Sequence, residues 1–171
     1  MPNQNWSHLS HLQLGQYGEY YAKMEFASYG FDVYTSEVDD HGVDFVARSP
    51  YDGVYYEVQV KSARNFSYVY AQKSKMPLAP NRLFCYLRFS DGALPEVYLI
   101  PATVWLEPDE VFVSRDYEGE QQTSKPEWGI NVSKKNLPRL APYLAERYFH
   151  RAAGLGDAKL RKKAEETLCQ S

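Results

Sequence analysis

From Val54 to Lys61 the chain alternates without a break. Val54, Tyr56, Val58 and Val60 share one side of an extended strand, and Tyr55, Glu57, Gln59 and Lys61 share the other. Just upstream, Val43-Asp44-Phe45-Val46-Ala47 reads as a second strand. Between them lies Ser49-Pro50-Tyr51-Asp52-Gly53, in which Asp-Gly is a strong hairpin signal. The segment is therefore a hairpin with Glu57, Gln59 and Lys61 in a row and Asp44 on the adjoining strand, aimed at that row.

The remaining elements fit around this hairpin. Residues 1–11 are a polar, loosely ordered lead-in. Leu12 to Tyr29 has helical spacing, with Leu14, Tyr17, Tyr20, Tyr21, Met24 and Ala27 on one side and Gly15, Glu19, Ala22 and Phe26 on the other. Glu19 thus stands in a stripe of small and apolar neighbours, an unusual setting for an unpartnered carboxylate. The bland alternative pairs it with Lys23 one turn on. Gly30 stops the helix. Phe31 to Tyr34 is a short strand, and Ser36 to Gly42 a loop. Asn65 to Asn81 has no clean period and is expected to be a loop. There Tyr68, Tyr70, Lys73 and Lys75 interleave aromatics with cations, a pattern suited to tracking phosphates. Leu83 to Phe89 and Glu96 to Ile100 are strands, and Pro101 opens a short helix over Ala102 to Leu106. Short strands are expected over Glu110 to Ser114 and Trp128 to Val132. Leu137 to Ala152 is helical, and Asp157 to Cys169 is a last, charged helix. Residues 12–153 form one domain, and 154–171 are an appended tail. The order gives an α/β domain with a mixed central sheet flanked by helices and with C-terminal helices.

Composition narrows the function. The 171 residues are long enough for a core without disulfide or metal staples. With 44% hydrophobic and 24% charged residues, the chain is an ordinary globular protein. Its two Cys show no metal-ligand spacing, and no signal or membrane-spanning segment is visible, so no membrane association and a cytoplasmic location are expected. The net charge of −3 means that any nucleic-acid contact must come from a local basic patch. The fifteen Tyr favour contact surfaces, because the ring offers area and the hydroxyl a polar handle.

Oxygen donors on rigid strands suit a hard cation such as Mg²⁺, which takes few protein oxygens and keeps room for water and phosphate. A Lys two residues beyond the last such donor lies on the same side, roughly 7 Å along the strand. There it would hold a water and offset charge on a phosphate. The four His are scattered, no Ser-His-Asp or Cys-His set is assembled, and no phosphate-cradling Gly loop occurs. The chemistry this favours is phosphodiester hydrolysis.

The ordered set resembles the PD-(D/E)xK nuclease superfamily, in feel its Mrr-like and Holliday-junction-resolvase-like branches. Asp44 matches the first acid, Gln59-Val60-Lys61 the acid-x-Lys element with Gln in the acid's place, and Glu19 the helix-borne acid. The resemblance spans Leu12 to Ile100 and implies a restriction-endonuclease-like core and a Mg²⁺-dependent DNA endonuclease, with Mn²⁺ as a substitute. It implies that Asp44, Gln59 and the Val60 carbonyl hold the metal and that Lys61 positions the attacking water. Glu19 would serve a second metal or a metal's water. Glu57, one strand repeat before Gln59, would supply the charge that Gln59 lacks. DNA is the implied partner, bound by Tyr68, Tyr70, Lys73 and Lys75. A homodimer is also implied, its seam at the tail helix or the strand Leu83 to Phe89. Two other readings stay open. One is a nuclease-fold module that has lost catalysis and binds nucleic acid or a protein. The other takes Glu57, Gln59 and Lys61 as the wet face of a half-exposed strand.

Overall fold

A computed structural model of the chain describes residues 2–35, 37 and 41–154. The expected loop Ser36 to Gly42 lies partly outside these residues, and the expected helix Asp157 to Cys169 entirely so. Helix α1 (His11–Ser28) begins at a capping box: the Ser10 hydroxyl accepts from the Gln13 backbone N–H, and the Gln13 side chain accepts from the Ser10 backbone. Gly30, at φ +83°, takes the left-handed conformation beyond its end.

The strands are β1 (Asp32–Tyr34), β2 (Phe45–Arg48), β3 (Tyr55–Arg64), β4 (Val69–Gln72), β5 (Arg82–Phe89), β6 (Glu96–Pro101), β7 (Phe112–Arg115) and β8 (Glu127–Ile130). Five form a sheet in the order β1-β2-β3-β5-β6, with β3 and β5 parallel and the other neighbours antiparallel. This is the mixed central sheet expected from the element order. The other three form an antiparallel sheet, β4-β8-β7. Parallel neighbours need a long crossover, and here the crossover from β3 to β5 passes through β4.

The two sheets and the helices make three layers. Along β5, Leu83, Cys85, Leu87 and Phe89 join a core with Trp6, Phe26 and Phe149 on the helix side. Phe84 and Tyr86 join a second core with Met76, Trp105 and Ile130 on the small-sheet side. A strand covered on both faces reads as a continuous apolar run rather than an alternation, as LFCYLRF does. On β3 the parity separates two chemistries. Val58 and Val60 face the helix-side core, so Glu57, Gln59 and Lys61 face the small sheet.

Several expectations are corrected. The lead-in is docked: Trp6 is buried, its backbone N–H donates to Asp91 and its indole N–H to the Ala93 carbonyl. The buried stripe of α1 is Leu14, Gly18, Ala22 and Phe26, whereas Tyr20 and Met24 are mostly exposed. Stacking of Tyr17 with Tyr21 keeps those two rings on the flank of the core. The expected loop Asn65 to Asn81 contains β4. The helix expected over Leu137 to Ala152 is broken into α2 (Leu137–Leu140), a short 3-10 turn and α3 (Ala145–Ala152), with Leu144 extended between them. Leu83 to Phe89 is a central strand buried between β3 and β6, so it offers no seam for a dimer. Among the described residues no helix is long and apolar enough to cross a membrane.

Candidate active site

The site is built where β2 parts from β3. The backbone ladder pairs Phe45 with Val58, and the Asp44 N–H donates to the Val58 carbonyl at 2.9 Å. One step further the Val60 N–H also points toward β2, and the Asp44 carboxylate accepts it at 2.5 Å. Asp44 therefore ends the ladder with its side chain, at the mouth of the opening. In an extended strand the N–H and C=O of one residue lie on the same side. The Val60 carbonyl accordingly projects toward that opening too. Cys85, the cross-strand neighbour of Val60, has a thiol pushed up first by burial and then by the Asp44 charge.

Beside the opening lies a cleft of about 590 Å³ between β3 and β4. Asp44, Gln59 and Lys61 all line it. Gln59 is only 6% exposed, and its Oε1 is buried without a hydrogen-bond partner. A buried amide oxygen in that state is costly unless a donor or cation meets it. Tyr68, Tyr70 and Lys75 line the facing wall, so three of the four residues expected to contact a nucleic acid share the cleft with the expected catalytic set. His11 and Arg64 also line it. Arg64 is fixed by donating to the carbonyls of Trp6 and Leu9. Among the described residues, Lys61, Arg64 and Lys75 line this cleft together with one carboxylate, that of Asp44.

Three expected site residues are placed elsewhere. Glu57 is ion-paired with Arg82 at 2.7 Å. Arg82, itself 3% exposed, also donates to the carbonyls of His41, Gly42 and Lys75. That fork ties the loop before Asp44 to the segment carrying Lys75, and Glu57 is its counter-charge. Lys73 lies across the Trp128 ring at 4.0 Å and donates to Ser114 and Asp116, bracing the small sheet. Glu19 is not among the residues lining the cleft. It follows Gly18 on α1, where a Cβ on Gly18 would come within 1.9 Å of the Ser62 hydroxyl, so helix backbone rests directly on β3.

Arg82 and Gly42 are the site residues that the sequence did not signal. Gly42 has φ +69°, and a Cβ there would meet Lys75 Cβ at 2.8 Å and the Gln59 amide at 3.1 Å. The glycine lets the two rims touch. Its place directly before the Val43-Asp44 strand is the signal that could have found it. Arg82 carried no such signal, because its acceptors, the Glu57 carboxylate and the carbonyls of His41, Gly42 and Lys75, come together only in the folded chain.

Among the described residues no group of three His, Cys, Asp or Glu side chains could hold a metal ion. The donor set at the opening is of another kind: the Asp44 carboxylate, the Gln59 amide oxygen and the Val60 backbone carbonyl. Mg²⁺ is commonly held by one or two carboxylates with the rest of its shell left to water and phosphate, and the orphaned Gln59 oxygen beside Asp44 fits such an ion.

No protein-family model matches the chain, and no curated protein matches it in sequence. Among solved structures it is similar to a bacterial homing endonuclease, I-Ssp6803I. The match covers 90% of this chain and 98% of that one, with a TM-score of 0.52 and 18% identity. The likeness is one of fold: this chain shares the fold of that endonuclease.

Proposed function

We propose that the chain is a metal-dependent DNA endonuclease whose centre is the cleft between β3 and β4. The observation that carries the reading is the convergence of Asp44, Gln59 and Lys61 on one concave surface, with the Gln59 oxygen buried and unpartnered. The fold shared with a homing endonuclease supports it. Asp44, Gln59 and the Val60 carbonyl would hold Mg²⁺, or Mn²⁺ in its place. The ion would supply Lewis acidity and charge neutralisation at a phosphodiester. Lys61 supplies three N–H donors and a positive charge: it orients the attacking water and offsets the charge that grows on the phosphate oxygens. Lys75 and Tyr70 on the facing wall hold the DNA strand against this floor. Glu57 is not part of the centre, because Arg82 holds its charge.

A second reading has its own observation. Gln59 stands where the resembled motif carries an acid, so the site has one negative charge fewer, and a binding module without catalysis would keep the same cleft. Cleavage of supercoiled plasmid separates the two. The endonuclease reading expects nicking that requires Mg²⁺ or Mn²⁺ and is lost in Lys61→Ala. Retained DNA binding with no divalent-dependent cleavage of any DNA form favours the binding module.

A further inference from the structure

Tyr68 is held in place from three sides. Gly129 on β8 has no side chain, and a Cβ there would fall 1.9 Å from the Tyr68 hydroxyl and 2.4 Å from its ring, so the ring lies directly over the β8 backbone. The hydroxyl donates to the buried carboxylate of Glu127 at 2.8 Å, which the Tyr117 hydroxyl also reaches. The Arg115 guanidinium sits over the ring at 4.1 Å. Tyr70, two residues along the same face of β4, stacks on Tyr68 with centroids 6.0 Å apart and planes at 20°. Tyr70 is 48% exposed, and Tyr68, Tyr70 and Lys61 are all among the residues that line the cleft. The result is an aromatic step with a rigid backing and one open member, set in a cleft whose cationic lining complements a phosphate backbone.

A stacked pair in the interior of a duplex offers no base face to such a step, whereas an unstacked base offers a whole face. The cleft, at about 590 Å³, has room for a single base. Resting on the nuclease reading above, we infer that Tyr70, backed by Tyr68, stacks an unpaired base next to the phosphate at Lys61, so that the preferred substrate is DNA whose target strand is locally unpaired. Tyr70 is a binding residue here, and Tyr68 positions it.

Fluorescence anisotropy with Ca²⁺ in place of Mg²⁺ tests this without turnover. The probes are a labelled intact duplex, the same duplex with a two-nucleotide bulge, and the single strand. Wild type is expected to bind the bulged and single-stranded probes about tenfold more tightly than the intact duplex. Tyr70→Phe should keep that preference. Tyr70→Ala should lose it, weakening the bulged and single-stranded probes more than the intact duplex. Gly129→Ala, which displaces Tyr68, should weaken the preference in the same direction. Equal binding of all three probes by wild type, or equal weakening on all three in Tyr70→Ala, overturns the inference and leaves the nuclease reading standing. Binding to none of the probes overturns both.

Discussion

Arg82 decides which polar side chain of β3 is available to the cleft. Its guanidinium is almost fully buried and takes Glu57 as counter-ion, which leaves Gln59 on that face of β3 to share the cleft with Asp44. Breaking a buried pair by removing one partner costs about 3–5 kcal/mol. Because Glu57 is partly exposed, Arg82→Ala is expected at the lower end, about 3 kcal/mol by urea denaturation. Lys61 makes the opposite prediction. Lys61→Ala should leave the urea midpoint near wild type and lower divalent-dependent cleavage about a hundredfold or more, as expected for losing a charge aimed at the transition state. A third residue governs pH. Burial, and then the Glu146 charge, raise the Glu25 carboxyl above its ordinary value of 4.5. The folded state thus keeps this proton to higher pH than the unfolded chain, and stability falls as pH rises from 4.5 through the raised value. Glu25→Gln should raise Tm at pH 7.5 and leave it unchanged at pH 4, a result that thermal melts at the two pH values check.

At the scale of elements, small residues at contact points set the architecture. Gly18 brings α1 onto β3, and Gly129 gives Tyr68 its seat on β8. Gly129→Ala should cost about 1–3 kcal/mol, because the ring must leave and Glu127 loses one of its two tyrosine hydroxyl donors. Chemical denaturation reads the cost. The same contacts explain what the sequence could and could not tell. The hairpin was legible because period two ran through eight residues without interruption. β4 was not, although Val69 and Ala71 point inward and Tyr70 and Gln72 outward as a strand requires. It has four residues, and it is stabilised by pairing with Glu127–Ile130, far along the chain. On α1 the apolar spacing grouped Tyr20 and Met24 with Leu14 on one side, but close packing buries the side with Gly18, where backbones approach most nearly. The α2–α3 break lies at Leu144, whose backbone is extended (φ −51°, ψ 136°), just after a 3-10 turn in which Pro142 lacks the N–H that a continuous helix would use.

For the molecule as a whole, the cleft exists only because two sheets meet. One wall is the polar half of β3, and the other is β4, held in place by β8 and β7. Asp44, Gln59 and Lys61 were legible as a row because one hairpin carries all three. The division between Glu57 and Gln59 was not, because it depends on Arg82 arriving from β5. Nor was the fate of Lys73, whose partners Ser114 and Trp128 belong to the small sheet and Asp116 directly follows its strand β7. The proposed divalent-cation site uses Asp44 and the uncharged Gln59 and leaves out Glu57. Titration calorimetry of Mg²⁺ into wild type, Asp44→Asn and Glu57→Gln tests it most directly. Wild type and Glu57→Gln are expected to bind with similar affinity, and Asp44→Asn to show no binding heat. Binding retained in Asp44→Asn, or lost in a folded Glu57→Gln protein, would contradict the account.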